Sequence, residues 1–271
     1  MNFAVVACSF QDLQKNSFLV GSGDVLFSSP PYNADVPYDS YNDKLTHKEY
    51  MQLARELGDF ASFVLKLGAP MFLNVAPVRD KPFEVLDFIR KIRGWRIQNW
   101  ITWLKSGTTP TPDGEHSWGQ FNALGRSKKR LHSTFEWVFQ MVRETELDVN
   151  LDRLSLGVPY ADKANLKRFN HDKDLRCRGN TWCIRYETKN KRTHPAPFPP
   201  QLARNGILLA GLGPNSVVFD PFCGEGHTGV AALQLGHNFI GCDLSPNYVA
   251  TANEKLERIR NEQLQARNQR P

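Results

Sequence analysis

The chain has 271 residues, a formal net charge of +6, and 41% hydrophobic and 11% aromatic residues; this excludes a disordered chain and allows one large core or a core with an inserted lobe, while the modest positive excess suits a polyanionic partner as well as an ordinary enzyme. No apolar run reaches the ~18 residues that cross a bilayer and the N-terminus lacks a basic segment followed by an apolar one, so a soluble cytoplasmic protein is expected. The five cysteines, Cys8, Cys177, Cys183, Cys223 and Cys242, lack the spacing of a disulfide scaffold, and Cys177 and Cys183 near His171 and His194 are too irregularly placed for a zinc site, so reduced thiols and no metal are expected.

In chain order, residues 3–8 form a short apolar run that predicts a strand, and 24–28 a second. Residues 33–43, rich in Asp, Asn, Ser and Tyr, predict a loop in which Tyr38 and Tyr41 are either surface rings or contacts to a ligand. Over 46–67 the apolar positions Met51, Leu53, Leu57, Phe60, Phe63, Val64 and Leu67 recur at helical spacing behind a Thr46 cap. Gly68 ends that helix, and 69–75 predicts a strand. A helix over 82–93 follows, closed by Gly94. Residues 95–104 and 134–142 have strand composition and are joined by a long loop, 105–133, that carries the basic run Arg126-Ser127-Lys128-Lys129-Arg130. A loop of that length suggests a lid or binding arm, and Lys128, Lys129 and Arg130 are either phosphate contacts or a solvated face.

Between 143 and 191 the periodicity fades. Lys163, Lys167, Arg168, Lys173, Arg176, Arg178, Lys189 and Lys191 are interleaved with Tyr160, Phe169, Trp182 and Tyr186, the mixture of cations and stacking rings that nucleic-acid contact needs. Regularity returns with a helix at 201–210, a strand at 216–220, a helix at 230–235, a strand at 238–242 ending at Asp243, and a polar helix from Pro246; residues 258–271 read as a solvated helix end or tail.

Two stretches carry chemistry. In Ser29-Pro30-Pro31-Tyr32 a buried strand ends in hydroxyls, prolines and a ring. The prolines fix φ and donate no N–H, so neighbouring carbonyls are left to accept from outside the chain. A rigid corner with spare acceptors and a stacking face suits a planar substrate with an amino group, such as a nucleobase; the competing interpretation is a turn that merely ends a strand. In the second stretch, Gly224, Gly226 and Gly229 satisfy G-x-G-x-x-G between a strand and a helix, with Asp243 nineteen residues beyond Gly224 at the next strand end. Taken alone this is a dinucleotide fingerprint. It comes too late in the chain for a nicotinamide enzyme, Asp220-Pro221-Phe222 is the wrong lead-in, and His227 is bulky where a pyrophosphate would lie, so an adenosine ligand without phosphates fits better.

Asp220-Pro221-Phe222-Cys223-Gly224-Glu225-Gly226 resembles the AdoMet-binding motif of amino-group DNA methyltransferases, and Ser29-Pro30-Pro31-Tyr32 their catalytic motif. The reversed order of the two resembles the permuted β-class. The similarity extends to His194-Pro195-Ala196-Pro197-Phe198-Pro199, to Trp103-x-Lys105 and to Phe135-Glu136-Trp137-Val138-Phe139; Glu225 and His227 depart from the family pattern, which more often has Ser and Thr. The resemblance implies an α/β fold, a circularly permuted Rossmann-like class I methyltransferase sheet. It implies residues 1–142 as the catalytic part of the core, 143–193 as a target-recognition insertion and 194–271 as the AdoMet-binding part. It further implies S-adenosyl-L-methionine held by Asp220, Phe222, Gly224, Gly226, Asp243, His194, Pro195, Ala196 and Phe198, catalysis by Ser29, Pro30, Pro31 and Tyr32, and DNA contacts from Lys128, Lys129, Arg130, Lys167, Arg168, Arg176 and Arg178. Its expected partners are DNA and, in a restriction-modification pair, a cognate endonuclease, with monomer or homodimer left open. None of the five cysteines follows a proline, so the Pro-Cys nucleophile of carbon-5 methyltransferases is absent. In the family Ser in the first motif slot usually accompanies N4-cytosine and Asp N6-adenine, which puts cytosine first and adenine as the alternative; a methyltransferase-like protein that only binds DNA is the alternative of another class.

Overall fold

The computed structural model describes residues 2–78, 80–81, 83–111, 114–118, 133–159, 175–186 and 194–268. Its centre is an eight-stranded sheet. In spatial order the strands are β1 (Phe3–Ala7), β12 (Asn238–Asp243), β11 (Val217–Asp220), β2 (Val25–Ser28), β3 (Met71–Val75), β7 (Phe135–Arg143), β4 (Trp95–Leu104) and β10 (Thr181–Cys183). Within it β7 runs antiparallel to β3 and β4, and the remaining pairs are parallel.

The strands read as unbroken apolar runs because both faces are covered. Val25, Phe27, Phe72, Val138 and Val218 pack with α4 (Pro200–Leu209), α5 (His227–Gln234) and α6 (Pro246–Asn268). The alternate residues Leu26, Met71, Leu73, Phe139 and Phe219 pack with α2 (His47–Val64) and α3 (Glu84–Lys91). Each such fully buried side chain contributes about 1.5–3 kcal/mol, so the period of two in β2 fixes which face meets which helix layer. Among the described residues no helix is long and apolar enough to cross a membrane.

The expected elements are present, with shifted ends. The helix read over 46–67 is α2, opened by a capping box in which Thr46 Oγ1 accepts from Glu49 N and Glu49 Oε2 accepts from Thr46 N at 2.8 Å. It stops at Val64 because Leu65 turns extended and Lys66 N donates to Gly23 O, tying the chain to the segment before β2. Leu67, read as part of the apolar stripe, is 81% exposed. The span 105–133, read as a loop, holds an antiparallel hairpin of β5 (Gly107–Thr111) and β6 (Gly114–Trp118). Trp182, read as a stacking ring for nucleic acid, is 1% exposed: it lies in β10, which pairs in parallel with the edge of β4. A short ladder of β8 (Val158–Pro159) and β9 (Leu175–Arg176) completes the described strands.

Strand order reverses between β11 and β2. The chain leaving β2 leads to β3 on one side of the sheet, and the chain leaving β11 leads to β12 on the other. Such a switch point leaves a crevice at the carboxyl ends of the strands, where Ser29 follows β2 and Pro221 follows β11.

Candidate active site and cofactor pocket

The loop after β11 is built around Asp220. Its carboxylate is buried and accepts from Ser28 Oγ and Thr228 Oγ1, each at 2.6 Å, and from Phe222 N at 3.1 Å. It thereby joins the ends of β2 and β11 to the first turn of α5. Gly226 caps α5 with φ +80°, where a side chain would be strained, and a Cβ on Gly229 would lie 2.6 Å from the Phe239 ring, so the last glycine lets α5 rest on β12.

Loss of water raises the Asp220 carboxyl to about 7, against the hydrogen bonds that lower it. The folded state therefore holds more protons than the unfolded chain between the ordinary value of 3.8 and about 7, and stability falls as pH rises through that window. Asp220→Asn removes the titration and is expected to flatten that decline in denaturant midpoints measured across the same window. An unchanged slope would contradict the assignment.

Above the loop lies a cavity of about 170 Å³. Asp243 stands in its wall, with Oδ2 accepting from Gly224 N and Oδ1 from Ser245 N, both at 2.9 Å. Each oxygen keeps acceptor capacity for a ligand hydroxyl. A group of rings borders the opening: Tyr38 and His194 are 5.5 Å apart between centroids, and His194 and Tyr248 4.7 Å. Burial lowers His194 to about 4, so its imidazole is neutral at neutral pH. Tyr41 lines the same cavity, and its hydroxyl is buried with no hydrogen-bond partner among the described residues, a polar group left for whatever the cavity holds.

Glu225 and His227, the two departures from the family motif, are ties within this wall. Glu225 accepts from His194 N at 3.0 Å and from Lys255 Nζ at 2.5 Å, and His227 Nδ1 lies 2.5 Å from the Phe198 carbonyl. They fasten the glycine loop to residues 194–198 and to α6.

The Ser-Pro-Pro-Tyr corner meets this cavity from the β2 side. Tyr50 donates its hydroxyl to Pro31 O at 3.0 Å. Pro30 O has no such partner among the described residues, so one proline carbonyl, not both, is left as an acceptor. The following turn holds Asn33 at φ +57°. Its backbone N donates to Asp43 Oδ1 at 2.8 Å and its side-chain oxygen accepts from Leu45 N at 2.7 Å. Asp43 Oδ2 also takes Ala34 N and Val36 N, and these bonds offset the left-handed strain at Asn33.

Beyond Tyr32 is a second cavity, of about 230 Å³, bordered by Asn74, Lys105, Glu136 and Tyr186. Tyr32, Ala196, Pro197 and Phe198 line both spaces. The Tyr32 hydroxyl lies 2.9 Å from Ser29 Oγ and 3.3 Å from both Asn74 Oδ1 and Glu136 Oε2, while Lys105 Nζ donates to Glu136 Oε1 at 3.0 Å. Burial, then the Glu136 charge, raises the Tyr32 phenol well above its ordinary range. Tyr32 is a neutral hydroxyl.

Of the residues expected at the cofactor, Phe222, Gly224, Asp243, His194, Ala196 and Phe198 line the first cavity, joined by Ser29, Pro31 and Tyr32. Asp220, Gly226 and Pro195 do not line it. Asp220 is a buried strut, because its carboxylate is consumed by Ser28, Thr228 and Phe222. Of the expected DNA contacts, Arg176 is exposed on β9, and Arg178 is exposed and donates to Leu156 O at 3.1 Å. Lys128, Lys129, Arg130, Lys167 and Arg168 lie outside the described residues. Among the described residues no group of His, Cys, Asp and Glu is arranged to hold a metal. Sequence reading gave no role to Asn74, Lys105 or Glu136. The signal was the antiparallel register of β4 and β7, which sets Trp103 opposite Glu136 and so brings the end of β4 beside it.

An open, mostly parallel sheet with a glycine loop and strand-end carboxylate at its switch point, and an acceptor-bearing Pro-Pro corner beside it, defines a Rossmann-like class I methyltransferase. The chain belongs to the N6/N4 DNA methylase family, whose sequence model matches residues 24–254. It is 29% identical over 241 residues to the type II methyltransferase M1.MboII of Moraxella bovis, covering 85% of this chain and 87% of the relative. It is 24% identical over 249 residues to the DNA adenine methyltransferase YhdJ of Escherichia coli K12, covering 87% and 76%. Among solved structures, the cytosine-N4-specific PvuII DNA methyltransferase superposes with a TM-score of 0.66 at 19% identity over 96% of this chain and 92% of its own. M1.HpyAVI in complex with SAM gives 0.54 at 18% identity over 94% and 100%.

Proposed function

We propose that this protein transfers a methyl group from S-adenosyl-L-methionine to the exocyclic N4 of a cytosine flipped out of DNA, without a covalent enzyme intermediate. The observation that carries this reading is the meeting of the two cavities at Tyr32, with Ser29 lining the first of them and its Oγ 2.9 Å from the Tyr32 hydroxyl; the adjacent Pro30 carbonyl, without a partner among the described residues, would be the second acceptor. The first cavity suits an adenosine ligand without phosphates. Asp243 would hold the ribose hydroxyls, Phe10 and Phe222 line an apolar side, and the Tyr41 hydroxyl, unpartnered among the described residues, would supply one more bond. His194, Ala196 and Phe198 would close the methionine end.

When bound, the cofactor supplies an electrophilic sulfonium methyl and is left as a neutral thioether, while the amino nitrogen that gains the methyl gives up one of its two hydrogens as a proton. The chain supplies orientation. A flipped base entering the second cavity would lie against Tyr32, and its amino hydrogens would bond to Ser29 Oγ and Pro30 O. Accepting both hydrogens draws the nitrogen lone pair out of conjugation and aims it toward the first cavity, so that positioning and fixed dipoles do the work. Pro31 and its bond from Tyr50 hold the corner rigid. Residues 1–142 and 194–271 would form this core, joined by β10 at the sheet edge, and the rest of 143–193, with the basic run at 126–130, would contact DNA.

Ser29 in the first motif slot favours cytosine. Adenine-N6 is the second reading, favoured by the name of the YhdJ relative. Names of type II relatives favour a place in a restriction-modification pair. Labelled methyl is expected to pass from S-adenosyl-L-methionine to unmethylated DNA and to survive removal of protein; absence of label in any DNA would leave a protein that only binds DNA.

A further inference from the structure

We infer that Glu136 sets the hydrogen-bond polarity of the catalytic corner: acting through Tyr32, it fixes the Ser29 hydroxyl as an acceptor and so matches the corner to an amino group rather than a keto oxygen. The inference rests on the base-methylation reading above and assigns a positioning role to a residue of the second cavity. A serine hydroxyl is ambiguous, because it donates one hydrogen bond and accepts two. A corner that must receive two amine hydrogens needs that ambiguity removed.

The surroundings of Tyr32 remove it. Asn74 Nδ2 donates to Glu136 Oε2 at 3.0 Å and to Trp137 O at 3.1 Å, which fixes the amide so that Oδ1 faces the Tyr32 hydroxyl at 3.3 Å. Glu136 Oε2 faces the same hydroxyl at 3.3 Å. A carboxylate and an amide oxygen only accept, so the single hydroxyl hydrogen of Tyr32 points to them. The 2.9 Å contact between Ser29 Oγ and Tyr32 Oη is then made with the Ser29 hydrogen. Ser29 Oγ keeps its lone pairs for the substrate, and the Pro30 carbonyl supplies the second acceptor. A base presenting a carbonyl oxygen at that point would meet acceptors alone, an unpaired polar contact. Lys105 completes the device from the other side, since its ammonium donates to Glu136 Oε1 and dictates which end of an amide would face it.

That last contact makes Glu136→Gln a sharp test. Lys105 selects the glutamine oxygen, so the new NH2 faces Tyr32 and Asn74. That NH2 would face the Asn74 NH2 donor to donor, so the Asn74 amide turns to present its oxygen; donors from both side chains then face Tyr32 Oη, its hydrogen is redirected to Ser29, and the serine hydrogen is driven toward the substrate. With full-length protein, labelled S-adenosyl-L-methionine and unmethylated amplified genomic DNA as the probe, Glu136→Gln is expected to lower kcat by about 100-fold while the cofactor dissociation constant stays within about twofold. In a Tyr32→Phe background, which keeps the ring and removes the relay, the same change is expected to cost little more, because the two act as one unit. Wild-type kcat in Glu136→Gln would overturn the inference. So would loss of cofactor binding in that variant, which would mean a general structural role, and so would losses that multiply in the double variant. A wild-type protein that labels no DNA would instead overturn the base-methylation reading.

Discussion

Ser29→Ala is expected to lower the turnover of methyl transfer by about 10²- to 10³-fold while cofactor affinity stays within about twofold. Ser29 lines the first cavity with its Oγ 2.9 Å from the hydroxyl of Tyr32, which lines both, and none of the bonds that hold the Asp243 side of the cofactor cavity passes through it. Removing the hydroxyl leaves the Pro30 carbonyl as a single acceptor for an amine with two hydrogens. The amine is then free to keep its lone pair in conjugation with the ring, and the loss falls on the chemical step. Single-turnover rates with saturating cofactor and DNA check this; a rate within about threefold of wild type would take Ser29 out of the mechanism.

Asp243→Ala has the opposite signature. The carboxylate closes β12 and takes Gly224 N and Ser245 N at 2.9 Å each. Its removal orphans two backbone donors on the cavity wall and deletes the acceptors proposed for the ribose. A hydrogen bond to a charged group contributes roughly 1.5–3 kcal/mol, so cofactor binding is expected to weaken by about 10- to 100-fold in calorimetric titration. The rate at saturating cofactor should change far less. Unaltered affinity would show that Asp243 faces no ligand. Asp243→Asn, which keeps one acceptor, should fall between.

The parts of this fold legible in the sequence are those set by local chemistry. The run 24–28 announces a buried strand, Thr46 announces a helix start, and three glycines ahead of Asp243 announce the cofactor loop; each follows from a period or a cap within a few residues. What the sequence concealed depends on partners distant along the chain. Asp220 reads as a ligand contact, yet Ser28, 192 positions earlier, takes its carboxylate. Trp182 reads as a stacking ring but is buried by pairing with β4. The Lys105–Glu136–Asn74–Tyr32 group is assembled from the ends of four strands, β2, β3, β4 and β7, and no periodicity in one segment reveals it. The Asn33 turn is similar: its left-handed backbone is stabilised by Asp43, ten residues away, and composition alone marks that stretch only as loop.

The central claim is that Ser29 and the Pro30 carbonyl hold the amino group of a flipped cytosine. It is tested most directly by incubating the wild-type protein with unmethylated genomic DNA and S-adenosyl-L-methionine, digesting the DNA to nucleosides, and identifying the modified one by mass spectrometry. N4-methylcytosine is the predicted product. N6-methyladenine would contradict the choice of base while keeping the amine-holding corner, and 5-methylcytosine, or no modified nucleoside, would contradict the corner itself.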